Sequence, residues 1–521
     1  MNPIAGLAYG FQVALTPENF LAALIGALIG TAVGILPGMS PTMVIALLLV
    51  PTIKLSPTTG LIILGAIYYG TQYGDSMTAI LMNVPSEAPS IVIGLDGHEM
   101  AKKGKAGVAL AVAAIGAWIG ATIGLIGLVA LAGVLGDAAL AFGPPEYFVL
   151  TAVGLVIMGK LSGAGTWKGL LSLAIGLAIS SVGLDPISGF TRFGFHNPEL
   201  SGGIGLVPVI LGLIGLAGML RLSGEAKSLP KPPQLNFREL FPTWQEWHEA
   251  IPASVRGAVI GFLLGVMPGP GTTMSTFVSY RLERRLRPKE VGQGAIPAVA
   301  GPKAADDASV SGHLVPLMVL GLPFSTVTAI LFAGMLLHGI TPGPSIMTQH
   351  PEVFWGLAAA MYIGNVALLI LNFPLVGLWL NILKIPQPVL STLLILLMMI
   401  GSYSLNNSFF DVITTIVAGA IGYMFLQYRV DTTILVLGLV LGPLLEKGFR
   451  QSLFLSRGSF TIFFSSWINN ILWLVLAAFI VTPVILRLTA AKRRPGAPEN
   501  VAAGIAAAAA AAVAQPLANE A

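Results

Sequence analysis

One stretch of eighteen residues constrains the fold more than any other, because it occurs twice. Residues 26–43 read GALIGTAVGILPGMSPTM, and 231 positions later residues 257–274 read GAVIGFLLGVMPGPGTTM. Nine of the eighteen positions are identical. Gly26, Ala27, Ile29, Gly30, Gly34, Pro37, Gly38, Thr42 and Met43 match Gly257, Ala258, Ile260, Gly261, Gly265, Pro268, Gly269, Thr273 and Met274. Glycine at every fourth position leaves a bare groove along one face of a helix, where a second backbone can lie close. The Pro-Gly pair then ends the helix, and Ser and Thr hydroxyls follow. Two unrelated glycine-rich helices would share the spacing but not Pro-Gly and Thr-Met at fixed offsets. The pattern reads as an internal duplication.

Composition says what surrounds such helices. Of the 521 residues, 55% are hydrophobic and 10% are charged, with a mean hydropathy of +0.84. A soluble domain carries about 25% charge, so the chain reads as an integral membrane protein seated in a lipid bilayer. Apolar runs at 108–135, 354–371 and 471–486 have, or nearly have, the length that a bilayer-crossing helix needs. The strand alternation of an outer-membrane barrel is missing, so the expected fold is all-α. There is no cysteine, which excludes a disulfide, a thiolate nucleophile and a cysteine metal site. The N-terminal stretch lacks a basic n-region and a clear cleavage site, so no signal peptide is expected. A net charge of +4 gives no reason to invoke nucleic acid.

Unit one is read over residues 17–222. It opens as a hairpin: a helix to Leu36, the Pro37-Gly38 break, then a shorter apolar helix to Ile53. An apolar run at 61–69 leads into the polar sequence GTQYGDSMTAILMNVPSEAPS at 70–90, and spans follow near 107–135, 146–159, 169–183 and 203–220. A polar, proline-bearing stretch at 223–250 forms a cytoplasmic linker. Unit two, 251–490, repeats the hairpin, then a basic loop, then a polar stretch ending at 304–328. Gly74 and Pro85 stand eleven apart, as do Gly312 and Pro323. Further spans fall near 353–383, 389–402, 408–426, 432–445 and 461–487, for roughly 11–12 membrane segments in all. The alanine-rich tail, 491–521, is expected to be disordered.

Charge placement orients the two units. The loop after the first hairpin holds only Lys54 in unit one, but Arg281, Arg284, Arg285, Arg287 and Lys289 in unit two. The next loop reverses this, with Lys102, Lys103 and Lys105 in unit one and no cation over 334–343. Lys and Arg collect in cytoplasmic loops, so equivalent loops should face opposite sides. That describes two inverted-topology repeats with broken helices or re-entrant hairpins, an architecture of secondary transporters. Threaded this way, 21 of the 27 Lys and Arg fall on the cytoplasmic side. Lys447, Arg450 and Arg457 do not, which points to a re-entrant rather than spanning segment at 432–445.

Catalytic motifs are missing, and the chain is not expected to be an enzyme. Residues 97–105 resemble a P-loop only superficially, because Glu99 stands at the first glycine position and Ala106 follows the lysine. With no ATP motif, solute would move on an ion gradient or down its own. No cofactor is expected beyond Na+ or H+ as a coupling ion.

The transport reading rests on four helix breaks: Pro37-Gly38 with Ser40 and Thr42; Asn83-Val84-Pro85 with Ser86; Pro268-Gly269 with Thr272 and Thr273; and Gly321-Leu322-Pro323 with Ser325 and Thr326. A broken helix leaves free N–H groups or carbonyls facing a cavity, where anions and cations respectively can bind. An ordinary kink, its hydroxyls bonded to the preceding turn, is the simpler account of any single break. Four breaks at duplicated places point to a shared solute site. Asp75, Glu87, Asp306 and Asp307 lie beside the breaks, and an intramembrane acid is a functional candidate by default. Asp306 and Asp307, with Asp75, are read as the ion path and Lys303 as their internal partner. Glu87 and Asp96 are expected at the interface, and His98 and His313 as satisfied structural residues.

Beyond these breaks, the sequence resembles the large membrane subunit of the tripartite tricarboxylate transporter family, the TctA family. The matching residues are GILPGMSPTM (34–43), ILMNVPSEA (80–88), DGHEMAKKGKAG (96–107), FGPPEYF (142–148), LDPISGFTRFGF (184–195), GVMPGPGTTM (265–274), VLGLPFS (319–325) and LGPLLEKGFRQSLFLSRG (441–458), and they spread over about 15–490. The resemblance implies a multi-pass permease of the bacterial inner membrane. It would work with a small TctB-like membrane subunit and a TctC-like periplasmic binding protein that delivers carboxylates such as citrate, by symport with Na+ or H+. One departure stands out: family members usually carry two asparagines where this chain has Asp306-Asp307. The alternatives are a non-transporting membrane scaffold or sensor, and the permease domain of an ATP-driven importer.

Overall fold

The computed structural model describes residues 3–36, 39–162, 165–185, 188–224, 241–382 and 387–491. The chain opens with α1 (Pro3–Ala14), α2 (Pro17–Gly34), α3 (Pro41–Thr52), α4 (Pro57–Met82), α5 (Ala88–Lys102) and α6 (Ala106–Leu140). There follow α7 (Pro144–Leu161), α8 (Thr166–Ser180), a ribbon of two-residue strands β1 (Gly183–Leu184) and β2 (Thr191–Arg192), and α9 (Pro198–Ser201). Then come α10 (Leu206–Ile210), continued through a π-helical turn (Leu211–Leu216) into α11 (Ala217–Gly224), and α12 (Trp244–Val266) and α13 (Gly271–Leu286). Next is α14 (Pro297–Val315), extended by a π-helical turn (Pro316–Leu320), followed by α15 (Thr326–Leu337) and α16 (Ile346–Gln349). The chain continues through α17 (Pro351–Ile382), α18 (Gln387–Asn406), α19 (Phe409–Gln427), α20 (Thr432–Leu455) and α21 (Trp467–Ala491). Helices α2, α3, α4, α7 and α14 each begin on a proline, the residue that loses nothing at a first helical position.

The protein is an all-α membrane protein. Among the described residues, eight helices are long and apolar enough to cross a bilayer: α2, α6, α7, α12, α17, α18, α19 and α20. Five shorter apolar stretches, α3, α8, α10–α11, α15 and α21, accompany them. The expected 11–12 segments therefore resolve into eight full-length apolar helices and a set of shorter arms. Helix α12 starts at Trp244, inside the stretch read as linker, because Thr243 and Glu246 form a capping box there. The remainder of that linker over 225–240, and the tail beyond Ala491, lie outside the described residues.

Two compact units divide the chain, and neither is a sequence half: one holds Met1–Leu140 with Ile204–Tyr428, the other Ala141–Gly203 with Arg429–Ala521. In the larger unit the glycine ladders do what their spacing requires. A methyl group placed on Gly26, Gly30 or Gly34 of α2 would come to 2.7, 2.5 and 2.4 Å from the carbonyl oxygens of Ile63, Ile67 and Thr71 on α4. On Gly257, Gly261 or Gly265 of α12 it would come to 2.0, 2.1 and 2.4 Å from those of Gly301, Ala305 and Ser309 on α14. Any side chain larger than hydrogen would drive the helices apart. The partners on α4 and α14 stand 238 positions apart, and Gly74 meets Thr31 as Gly312 meets Phe262. The same helix pair is built twice.

The next long helix beyond each pair, α6 or α17, then packs on the other pair's central helix. Gly116 and Gly120 of α6 lie against the carbonyls of Ala300 and Ala304 on α14, and Leu357 and Met361 of α17 lie against Gly65 of α4. This exchange interlocks the two copies, which is why they cluster as one unit. It also leaves α14 without an exposed residue over Pro297–Val315, and α4 nearly so.

In the smaller unit, Gly176 of α8 lies against Leu435 of α20, and Phe463 and Leu476 pack with Val149, Val153 and Ile157 of α7. The segment 432–445, expected to be re-entrant, belongs to one unbroken helix of 24 residues. Of the three cations behind that expectation, Arg450 is compensated by carboxylates: it pairs with Asp185 at 2.8 Å and with Glu446 at 3.1 Å, and Arg192 joins the same group by pairing with Glu446 at 2.9 Å.

Candidate functional site

The two central helices, α4 and α14, end in the same way. Asn83 adopts the left-handed conformation, its N–H bonds Ala79 O, and that of Val84 reaches back to Thr78 O. Gly321, 238 positions on, is also left-handed, with Gly321 N–H bonding Leu317 O and Leu322 N–H bonding Pro316 O. Both are αL-type closures, with a wider bond from the following residue, and they satisfy the last carbonyls of a helix and turn the chain. Pro85 and Pro323 then prevent helix from resuming at once, and α5 and α15 start at equivalent places.

The restarts differ in chemistry. Ser325 caps α15 itself, accepting from Thr328 N–H at 3.2 Å. At α5 the corresponding residue, Glu87, supplies no side-chain cap. Asp75 does so from α4, accepting from Ser86 N–H at 2.6 Å, Glu87 N–H at 3.2 Å and the Ser90 hydroxyl. A carboxylate at a helix N-terminus is well placed for the partial positive charge there.

Between the copies, α4 and α14 exchange polar contacts in the dry interior. Tyr69 and Ser311 share a hydrogen bond of 2.7 Å, and Lys303 Nζ donates to Gln72 O at 3.3 Å. Lys303 also pairs with Asp306 at 3.1 Å and with Asp307 at 2.6 Å. Lys303 and Asp306 are fully buried and Asp307 is 1% exposed. Asp306 Oδ1 and Gln72 Oε1 have no partner among the described residues. Lys303 and Asp306 also act electrostatically on Asp75. One ammonium thus pairs with two buried carboxyl groups and lies within electrostatic reach of a third. Such a cluster, fully ionised, is two positive charges short, and burial makes that shortfall costly. Protons or a bound cation can supply the difference.

The other expected site residues divide into those already used and those left open. Ser40 caps α3 by accepting from Met43 N–H at 3.3 Å, and Ser86 and Ser325 serve the restarts just described. Thr272, Thr273, Thr326 and Asn83 make no side-chain hydrogen bond among the described residues, nor does Thr42 to any of them. Pro268 and Gly269 lie in the gap between α12 and α13, with Gly269 at φ 140°. Pro37 and Gly38 lie outside the described residues. Asp96, expected at the interface, is instead buried and accepts from the N–H groups of Gly292, Gly294 and Ala295, each at 2.8 Å, and from the Tyr280 hydroxyl. It anchors the basic loop.

His98 bonds Ile80 O at 3.1 Å, as a structural residue should. His313 does not: it is 1% exposed and neither ring nitrogen has a partner among the described residues. Reading its position 238 residues after Asp75 would have flagged it, as would aligning Gly65, Tyr68 and Tyr69 with Lys303, Asp306 and Asp307.

Comparison with known proteins places this geometry. The family model described as the tripartite tricarboxylate transporter TctA family matches residues 20–437. An uncharacterized 52.8 kDa protein in the TAR-I ttuC′ 3′ region of Agrobacterium vitis is 40% identical over 491 residues, covering 93% of this chain and 97% of the relative. An uncharacterized protein in the TAR-II ttuC′ 3′ region of the same organism is 45% identical over 205 residues, 39% of this chain and 85% of the relative. No solved structure matches. The chain belongs to the tripartite tricarboxylate transporter TctA family.

Proposed function

We propose that the chain is the large permease subunit of a secondary importer of carboxylates in the bacterial inner membrane. A periplasmic binding protein would deliver the solute, and a small membrane subunit would complete the assembly. Its two copies would sit in the membrane with inverted topology. The observation that supports the reading most is the buried cluster of Lys303, Asp306, Asp307 and Asp75, which needs added positive charge to be stable. Na+ or H+ taken up there would couple the gradient to solute movement. The solute would bind at the broken helix ends, where Thr272, Thr273, Thr326 and Asn83 keep unbonded polar side chains. Helix N-termini and hydroxyls suit a weak site fed by a separate, tighter binder.

The test is solute counterflow with the purified chain in liposomes, using citrate, succinate and acetate as probes with and without imposed Na+ and H+ gradients. Exchange that rises with one of these gradients is the expected result. No exchange of any probe would leave a non-transporting membrane scaffold as the better reading. Thr42→Val or Thr273→Val should abolish uptake while expression and binding-protein affinity stay intact.

A further inference from the structure

The imidazole of His313 sits on α14 with Nδ1 and Nε2 both without a partner among the described residues and the side chain almost wholly buried. A buried polar group without a partner carries the full cost of its lost hydration, and an imidazole always has at least one N–H to donate. Where the ring points is fixed by its neighbour. A methyl group built on Gly271 would lie 2.6 Å from Nε2, so the ring edge meets the first residue of α13, and glycine there makes room for it.

That helix start is open. Met274 N–H makes the first bond back, to Pro270 O at 2.9 Å, and Gly271 N–H turns to Gly269 O. The N–H groups of Thr272 and Thr273 precede the first such bond and have no partner among the described residues. Their hydroxyls are unbonded as well. Imidazole, two amides and two hydroxyls therefore offer donors around one helix N-terminus sixteen residues long, the arrangement that holds an oxyanion.

The duplicated copy shows why this residue is free. Asp75, 238 positions earlier, is fully engaged in capping α5. In the second copy Ser325 caps α15 without help, and His313 is released from that task.

We propose that His313 is a solute-binding residue, donating its N–H to a carboxylate group of the transported anion while that group rests on the first turn of α13. The inference builds on the transport reading and assigns one end of its solute. Gly271 is part of the same design, since any side chain there would displace the ring.

The experiment is equilibrium binding of radiolabelled citrate and succinate to the purified full chain in lipid nanodiscs, with thermal unfolding as the control for folding. His313→Leu should weaken binding of both anions at least tenfold, Gly271→Ala should weaken it by a similar factor, and His313→Gln, which keeps an N–H donor, should restore most of the affinity. Unchanged binding in His313→Leu, or equal loss in His313→Leu and His313→Gln with both proteins folded, overturns the proposal. So does a parent protein that binds neither anion. His313-dependent binding without counterflow would instead remove the transport reading and leave the site assigned.

Discussion

The two glycine-laddered helix pairs differ little in how they pack and a great deal in what their central helices carry. Helix α4 holds Gly65, Tyr68, Tyr69 and Asp75 where α14, 238 positions on, holds Lys303, Asp306, Asp307 and His313. The backbone contacts are kept in both because nothing but glycine fits between a helix and a facing carbonyl at under 3 Å. The other positions on these two helices are under no such constraint. The first copy carries a single buried acid here, Asp75, engaged in capping α5, and the second gathered Lys303, Asp306, Asp307 and an imidazole without a partner among the described residues. Duplication supplied two scaffolds; the chemistry is concentrated in one.

The sharpest way to break this comparison is to remove the charge that sets the copies apart. Lys303→Met leaves two carboxyl groups buried without their cation, and should destabilise the protein by about 3–5 kcal/mol, read as a fall in thermal unfolding temperature. Adding Asp306→Asn and Asp307→Asn should recover most of that stability and change which ion gradient drives counterflow. Failure of the triple variant to recover would show that the cluster holds the fold together in some other way.

A smaller effect tests what the copies share. Gly30→Val and Gly261→Val each put a branched side chain against a backbone carbonyl, at 2.5 and 2.1 Å for the first carbon alone. Each should cost about 3 kcal/mol, seen as loss of monodisperse protein on size exclusion. If one variant is tolerated and the other is not, the two pairs are not equivalent.

Capping separates the copies again. Asp75→Ala removes the acceptor for two N–H groups and a hydroxyl at the start of α5 and should cost about 2 kcal/mol, against about 1 kcal/mol for Ser325→Ala at α15. Hydrogen exchange over residues 84–92 and 322–330 would read each effect locally. Least of all, Tyr69→Phe should cost about 1 kcal/mol by leaving Ser311 without its partner across the copies. Thermal unfolding of Tyr69→Phe beside Ser311→Ala and the double variant would isolate that contact.

Much of this architecture is legible in the amino-acid sequence. The ladders and the breaks can be read because glycine, proline and a left-handed Asn or Gly answer to backbone geometry, which sequence states directly. The central helices cannot. Hydropathy measures suitability for lipid, and α4 and α14 touch protein on every side, so their Thr, Ser, Gln and Asp residues make continuous helices look like polar stretches at 70–90 and 304–328. That Asp75 caps α5 is hidden as well, because the N–H groups it receives come from a segment eleven and twelve residues on, after a turn whose direction the sequence does not state. Arg450 argues for a re-entrant segment only while its helix is judged without Asp185 and Glu446, which sit far off in the chain and on the preceding turn. The status of His313 needs coordinates, since the absence of a partner is a property of everything around it.

The glycine-to-carbonyl contacts have a mechanical consequence. A shift of α4 along α2 by one residue would bring Tyr69 or Tyr73 to the places now held by Gly70 and Gly74, where no ring can enter. Each pair is therefore locked in register and can travel only as a rigid block. Whatever conformational cycle the protein undergoes has to bend where the helices are interrupted, and the left-handed residues Asn83 and Gly321 are where torsion angles can change without prising two backbones apart.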